Sequence, residues 1–279
     1  MKVVILAGGL GTRLSEETSV KPKPMVEIGG KPILWHIMKI YSHYGFNEFI
    51  VCLGYKGYTI KEWFSHYYIH HSDLTFDLEH DNIIHHHNKG ENWKVTLVDT
   101  GDETMTGGRI KRIKDYIGNE TFMATYGDGV GNVNIKELVK FHKDNNHIAT
   151  VTSVIPEGRF GALSIQDTRI TNFSEKKDNK DRINAGYFVL EPEVFDYIEG
   201  DATAFEKDPL QNLAKDGKLH TYCHNEFWKA MDTLSDKSKL EEMWQKNEAP
   251  WKIWDDEKSV GKSTKQEVGK QKSEIKPRW

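Results

Sequence analysis

Three stretches of the chain carry residue types suited to chemistry on phosphates. The first is Leu6-Ala7-Gly8-Gly9-Leu10-Gly11-Thr12-Arg13-Leu14, which continues a short apolar run from Val3 to Ala7. A glycine-rich turn after a strand aims several backbone N–H groups at one point, as a phosphate requires. It is not a P-loop, because no Gly-Lys-Ser/Thr follows, and Leu14 stands where a dinucleotide fingerprint has its third glycine. Arg13 adds a bidentate donor suited to a phosphate chain. The second stretch is Lys21-Pro22-Lys23-Pro24-Met25. Prolines on both sides of Lys23 predict an extended backbone and an aimed side chain, although such a lysine taken alone reads as a solvated loop residue. The third is Tyr126-Gly127-Asp128-Gly129, at the carboxyl end of a predicted buried strand, where open α/β sheets place ligands. Taken alone, Asp128 reads as a turn residue.

In combination the reading sharpens. Leu6 to Leu14, with Lys23-Pro24-Met25 and Gly30-Lys31-Pro32-Ile33, resembles the signature of the sugar-phosphate nucleotidyltransferases. The resemblance covers residues 1 to 254. It implies a magnesium-dependent enzyme in which Asp128 holds Mg²⁺ together with a later aspartate, matched by Asp232 in Trp228-Lys229-Ala230-Met231-Asp232-Thr233. Two carboxylates suffice for Mg²⁺ when phosphate oxygens and water fill its other positions. It also implies that Leu6, Ala7, Gly8, Gly9, Gly11, Thr12 and Arg13 surround the nucleotide, with Arg13 and Lys23 as the catalytic cations. Asn172-Phe173-Ser174-Glu175-Lys176 resembles the family's Glu-Lys segment, so Lys176 is matched to the sugar phosphate and Glu175 to sugar hydroxyls. Lys177 stands where proline is often found. Gly161, Asn184 and Gly186 look like the rest of that wall.

Thr104-Met105-Thr106-Gly107-Gly108-Arg109 looks like the nucleotide-facing loop of the cytidylyl-transferring branch, which gives Thr104, Gly108 and Arg109 to the nucleotide site. Trp35-His36-Ile37-Met38 and Ala249-Pro250-Trp251-Lys252 point to the same branch. By that resemblance the substrates are CTP and glucose 1-phosphate, and the assembly is a homo-oligomer. The residues alone do not choose the base. Cytosine differs from uracil in offering an amino donor where uracil offers a carbonyl, and a backbone carbonyl can read that difference. A uridylyl- or thymidylyltransferase, or a non-catalytic sugar-nucleotide-binding subunit, are the competing readings. The last could dispense with the aspartates and basic residues that this chain keeps.

The elements that must position these groups follow from periodicity. Apolar runs at Val3–Ala7, Glu48–Leu53, Val95–Asp99, Thr121–Tyr126 and Ile148–Ile155 predict buried strands. Helical spacing marks residues 31–44, 56–69 and 135–146. Strands alternating with helices predict an α/β fold, a doubly wound, mostly parallel, Rossmann-like sheet. After Gly158, short strands at 162–165 and 186–190 alternate with predicted helices at 192–199, 206–216 and 235–245, as a sugar-binding lobe on the same sheet. Residues 1–254 read as the nucleotidyltransferase domain. Residues 255–279, mostly Lys, Glu, Ser, Gln and Gly with only isolated apolar residues, read as a disordered polar tail.

Composition excludes several alternatives. A net charge of −4 gives no overall field for nucleic acid, and no such motif occurs. The apolar run at the start is far too short to span a membrane, so neither a membrane nor export is expected and the cytoplasm is the default location. Two cysteines, Cys52 and Cys223, build no disulfide framework. His70-His71 and His85-His86-His87 read as solvated loop or subunit contact.

Overall fold

Val3, Val4 and Ile5 have no exposed surface because the strand Val3–Leu6 (β1) is covered on both faces. The computed structural model describes residues 1–9, 11, 14–88, 90–156, 162–166, 169–174 and 181–255. The other strands of the main sheet are β2 (Glu48–Leu53), β3 (Lys94–Asp99), β4 (Phe122–Tyr126), β5 (Ala149–Val154), β6 (Ile183–Leu190) and β7 (Leu219–Cys223). Their spatial order is β7-β5-β6-β4-β1-β2-β3. Pairs β1/β2, β1/β4, β2/β3 and β5/β7 are parallel. Only β6 runs against its neighbours β4 and β5. This is the mostly parallel, Rossmann-like α/β sheet that the alternation predicts. Of the later strands, β6 and β7 join it, whereas the strand expected at 162–165 does not: Ala162–Gln166 pairs antiparallel with Arg169–Ser174 in a separate two-stranded sheet.

Helices α1 (Ile33–His43), α2 (Gly57–Ser65), α3 (Thr106–Arg112), α4 (Ile135–Asp144), α5 (Asp208–Lys215) and α6 (Leu234–Gln245) surround the sheet. One core, on the α1 and α4 side, contains Val3, Ile5, Ile37, Tyr41 and Leu138. The other, on the α3 and α5 side, contains Val4, Ile110, Phe195 and Leu213. The alternation of Val3 and Ile5 against Val4 is the period of a strand with two buried faces. The helix expected over 56–69 stops at Ser65, and a short one resumes at Tyr67–His71 after His66 adopts φ −95°, ψ 4°. The helix expected over 192–199 is a 3-10 segment, Pro192–Tyr197, whose Val, Phe, Asp and Tyr favour the α-helix little.

The histidine stretch departs further from expectation. Ser72–Asp77 and Asn82–Asn88 form an antiparallel hairpin, so His86 stands on a strand, bonded to Thr75 at 2.9 Å. Phe76, Ile83 and Ile84 supply the strand propensity. Asp81, at φ 48°, supplies the turn. Among the described residues no group of three metal-ligating side chains occurs, and no helix is long and apolar enough to cross a membrane. The expected tail lies, beyond Asp255, outside the described residues.

The chain's last described segment packs back on α1. His36 is fully buried, with the rings of Trp244 and Trp251 at 4.7 and 6.2 Å. Its Nε2–H donates to the Ile28 carbonyl at 2.8 Å, and Trp251 Nε1–H donates to Nδ1 at 3.4 Å. Both ring nitrogens are thereby used by the neutral ring. Burial pushes the imidazole pKa down to about 4, and backbone hydrogen bonds offset this only in part. The unfolded chain therefore binds this proton more readily, and His36 favours the fold fully only above pH 6.5. Between pH 7 and pH 5 the protein is expected to lose about 2 kcal/mol from this residue. Urea midpoints across that range check it; the same pH slope in His36→Gln would refute the attribution.

Candidate active site

Leu6 of β1 pairs with Tyr126 of β4, so the two strands end side by side. The glycine turn after β1 and the Gly127-Asp128 step after β4 therefore leave the sheet next to each other. The Gly127 N–H donates to the Leu6 carbonyl at 3.0 Å. A side chain at Gly127 would come within 2.9 Å of the Pro24 ring, so the lysine–proline segment lies directly against this step. Lys23 is not in extended backbone as predicted. Pro22 is extended (φ −66°, ψ 151°), and Lys23–Met25 then makes one 3-10 turn, which the fixed φ of Pro24 suits.

Asp232 reaches the same place by another route. Trp228–Ala230 pairs antiparallel with Gly129–Gly131, and the Met231 N–H donates to the Asp128 carbonyl at 2.8 Å. This two-stranded ribbon sets the two aspartates side by side. Beyond Asp232 the chain enters α6 through a reciprocal cap between Thr233 and Asp236, which fixes the corner. Lys23 Nζ, almost buried, lies 2.7 Å from Asp128 Oδ2 and 2.8 Å from Asp232 Oδ1. Both carboxylates thus point at one site of positive charge. They are hard oxygen donors on a rigid ribbon, beside a cleft of about 650 Å³ with room for phosphate oxygens and water. That donor set fits a divalent cation.

Leu6, Ala7, Gly8, Gly9, Gly11, Lys23, Thr104, Arg109, Asp128, Asn184 and Asp232 all line this cleft. Gly108 and Gly186 do not. Gly108 lets α3 lie on the Asp201 backbone, which a Cβ would approach to 2.6 Å. Gly186, at φ +80°, lies under the Tyr126 ring, 2.4 Å from where a Cβ would stand. Thr12, Arg13, Gly161, Glu175 and Lys176 lie outside the described residues.

Arg109, given to the nucleotide site by the resemblance, lines the cleft while its guanidinium is bonded to the protein itself. It is 3% exposed. Its guanidinium donates to the carbonyls of Leu53, Gly101, Gly8 and Asp102 and to Thr100 Oγ1, at 2.7 to 3.2 Å. Burial lowers its pKa from the ordinary value. The arginine ties the glycine turn to the ends of β2 and β3. A side chain at Gly8 would stand 2.2 Å from Arg109 Nη1, so this glycine makes room for the clamp.

A second polar group in the cleft is formed by Tyr126, Glu206, Thr106 and Asn184; of these, sequence reasoning missed Glu206. Tyr126 Oη donates to Glu206 Oε1 at 2.6 Å, and Thr106 Oγ1 donates to Glu206 Oε2 at 2.6 Å. Burial and the Glu206 carboxylate raise the Tyr126 pKa well above its ordinary value. Tyr126 stands in a motif visible in the sequence. Glu206, far along the chain in a polar stretch before α5, carries no local signal.

The family profile described as Nucleotidyl transferase matches residues 2–257. Glucose-1-phosphate cytidylyltransferase of Salmonella typhi is 56% identical over 257 residues, covering 91% of this chain and 100% of that protein. Probable glucose-1-phosphate cytidylyltransferase of Bacillus subtilis is 49% identical over 255 residues, covering 91% and 100%. HddC from Yersinia pseudotuberculosis superposes with a TM-score of 0.65 at 27% identity, covering 87% of this chain and 99% of that one. An apo UDP-glucose pyrophosphorylase structure, at 18% identity and TM-score 0.64 over 88% and 98%, shares the fold. Matched by the family profile along nearly all its described length, this chain belongs to the nucleotidyl transferase family.

Proposed function

We infer that the chain transfers the cytidylyl group of CTP to α-D-glucose 1-phosphate, releasing CDP-glucose and pyrophosphate. The convergence of Lys23, Asp128 and Asp232 beside the glycine turn carries the chemistry. The two relatives of that name, at 56% and 49% identity, support the base and the sugar.

A phosphate oxygen of glucose 1-phosphate attacks the α-phosphorus of CTP. The new P–O bond forms as the bond to the β-phosphate oxygen breaks, and its electron pair leaves with pyrophosphate. The nucleophile is already an anion, so no side chain has to take a proton. The protein must hold two polyanions in line against their repulsion. In this proposal Gly8, Gly9, Gly11, Thr12 and Arg13 hold the triphosphate, and Leu6 and Ala7 form the floor. Thr104, Gly108 and Arg109 shape the nucleotide loop, the arginine through its grip on the backbone. Lys23 faces the charge that builds at the reacting phosphorus. Gly161, Glu175, Lys176 and Asn184 form the sugar-phosphate wall, and Gly186 supports it from behind by donating its N–H to Asn184 Oδ1. Mg²⁺, held by Asp128 and Asp232, would supply positive charge to the α-phosphate.

The proposal includes residues 1–254 as one catalytic unit, a cytoplasmic setting where nucleotides and sugar phosphates meet, and a homo-oligomer. Phe76, Leu78, Ile83 and Ile84 are exposed on or beside a two-stranded hairpin, which is marginal in water without cover. The deciding experiment is pyrophosphate release with glucose 1-phosphate and Mg²⁺ against CTP, UTP, dTTP, ATP and GTP. A CTP-selective signal abolished by EDTA is expected. Selectivity for another nucleotide would overturn the cytidylyl assignment, and silence with all five would overturn the reaction.

A further inference from the structure

Glu206 places an anion in a cleft that must accept phosphates. Among the described residues no lysine, arginine or histidine forms an ion pair with it. Its partners are the hydroxyls of Tyr126 and Thr106, one on each carboxylate oxygen. Both hydroxyls are themselves anchored. Asn184 Nδ2 donates to Tyr126 Oη at 3.2 Å, and the Gly186 N–H donates to Asn184 Oδ1 at 2.7 Å. The Phe205 N–H donates to Thr106 Oγ1 at 2.9 Å. The carboxylate is thus oriented from two sides, by the end of β4 with β6 and by the start of α3. Each of its oxygens keeps a lone pair beyond the bond it accepts. Glu206, Tyr126, Thr106 and Asn184 all line the cleft.

A fixed carboxylate without a cation repels phosphate and accepts strongly from neutral donors. We propose that Glu206 is a specificity-determining residue that accepts hydrogen bonds from a sugar diol of a bound substrate. The inference rests on the reaction proposed above, in which two diols enter the cleft, the ribose of the nucleotide and the hexose. A site built to bond a hydroxyl rejects the analogue lacking it, because the site's own polar group is left unpaired.

The experiment compares binding and turnover of parent and deoxy substrates in the full-length wild type, Glu206→Gln and Tyr126→Phe. The probes are CTP with its 2′-deoxy and 3′-deoxy forms, and glucose 1-phosphate with deoxyglucose 1-phosphates. In the wild type one set of deoxy analogues should bind about 10–100-fold more weakly than its parent, as for a lost hydrogen bond to a charged group. In Glu206→Gln that ratio should shrink towards one, chiefly through weaker binding of the parent. Tyr126→Phe, which keeps the carboxylate but frees it, should give an intermediate ratio. Which set responds tells ribose from hexose. Unchanged ratios in both variants, or equal weakening of parent and analogues as a merely structural role would cause, would overturn the proposal. Calorimetric binding reads these ratios without turnover, so failure of the cytidylyl assignment, seen as wild-type preference for another nucleotide, is distinguished from failure of this one.

Discussion

Asp128→Asn is expected to fold as the wild type does and to lose about 10²–10³-fold in kcat, the usual cost of one pre-positioned electrostatic group. Asparagine keeps the shape of the side chain, and its Oδ1 can still accept from Lys23. The Met231 bond to residue 128 uses the backbone and is untouched. What is lost is one of two negative charges facing a single point. Lys23→Ala should lower kcat to a similar extent by removing the cation at that point. Steady-state kinetics with a thermal-unfolding control measures both. Near-wild-type kcat in either variant would defeat the assignment of the site.

Arg109→Met carries the largest expected effect on stability. Methionine fills much of the arginine's length but donates nothing. The Gly101 and Asp102 carbonyls lose their donor, while the Leu53 carbonyl keeps Thr100. Buried acceptors left unpaired cost about 1–3 kcal/mol each, and these effects are not additive. A total of about 4 kcal/mol is expected, which lowers Tm by roughly 8–16 °C at 2–4 °C per kcal/mol. The nucleotide KM should rise as well, because the Gly8 turn loses its tie to the loop after β3. Arg109→Lys should rescue little, since a point ammonium cannot reproduce the planar fork. Chemical denaturation settles it: a loss below 1 kcal/mol would show that the clamp is dispensable.

Much of the fold is legible because its causes are local. Val3 to Ala7 reads as a buried strand because every position is apolar, and α1 reads as a helix because Ile33, Leu34, Ile37, Met38 and Tyr41 repeat at helical spacing. The glycine turn, Lys23, Asp128 and Asp232 are legible as motifs, and the structure brings the last three within bonding distance. The role of Arg109 is not legible. Its type and place suit an anion or a base equally, and only the closing of the sheet presents it with four backbone carbonyls. Glu206 is invisible for the same reason: Tyr126 and Thr106 reach it only after distant segments meet. Trp35, His36 and Trp251 mark the branch in the sequence, yet they pack together in the core and do not line the cleft.

The ribbon that delivers Asp232 also orders events during synthesis. The glycine turn and Lys23 leave the ribosome early, followed much later by Asp128. The strand Trp228–Ala230, which carries the second carboxylate into place, emerges later still. A nascent chain therefore holds the glycine turn long before it holds both aspartates. In the proposed mechanism this order is a safety catch: a truncated product ending before residue 228 lacks the second carboxylate, however well its first strands assemble.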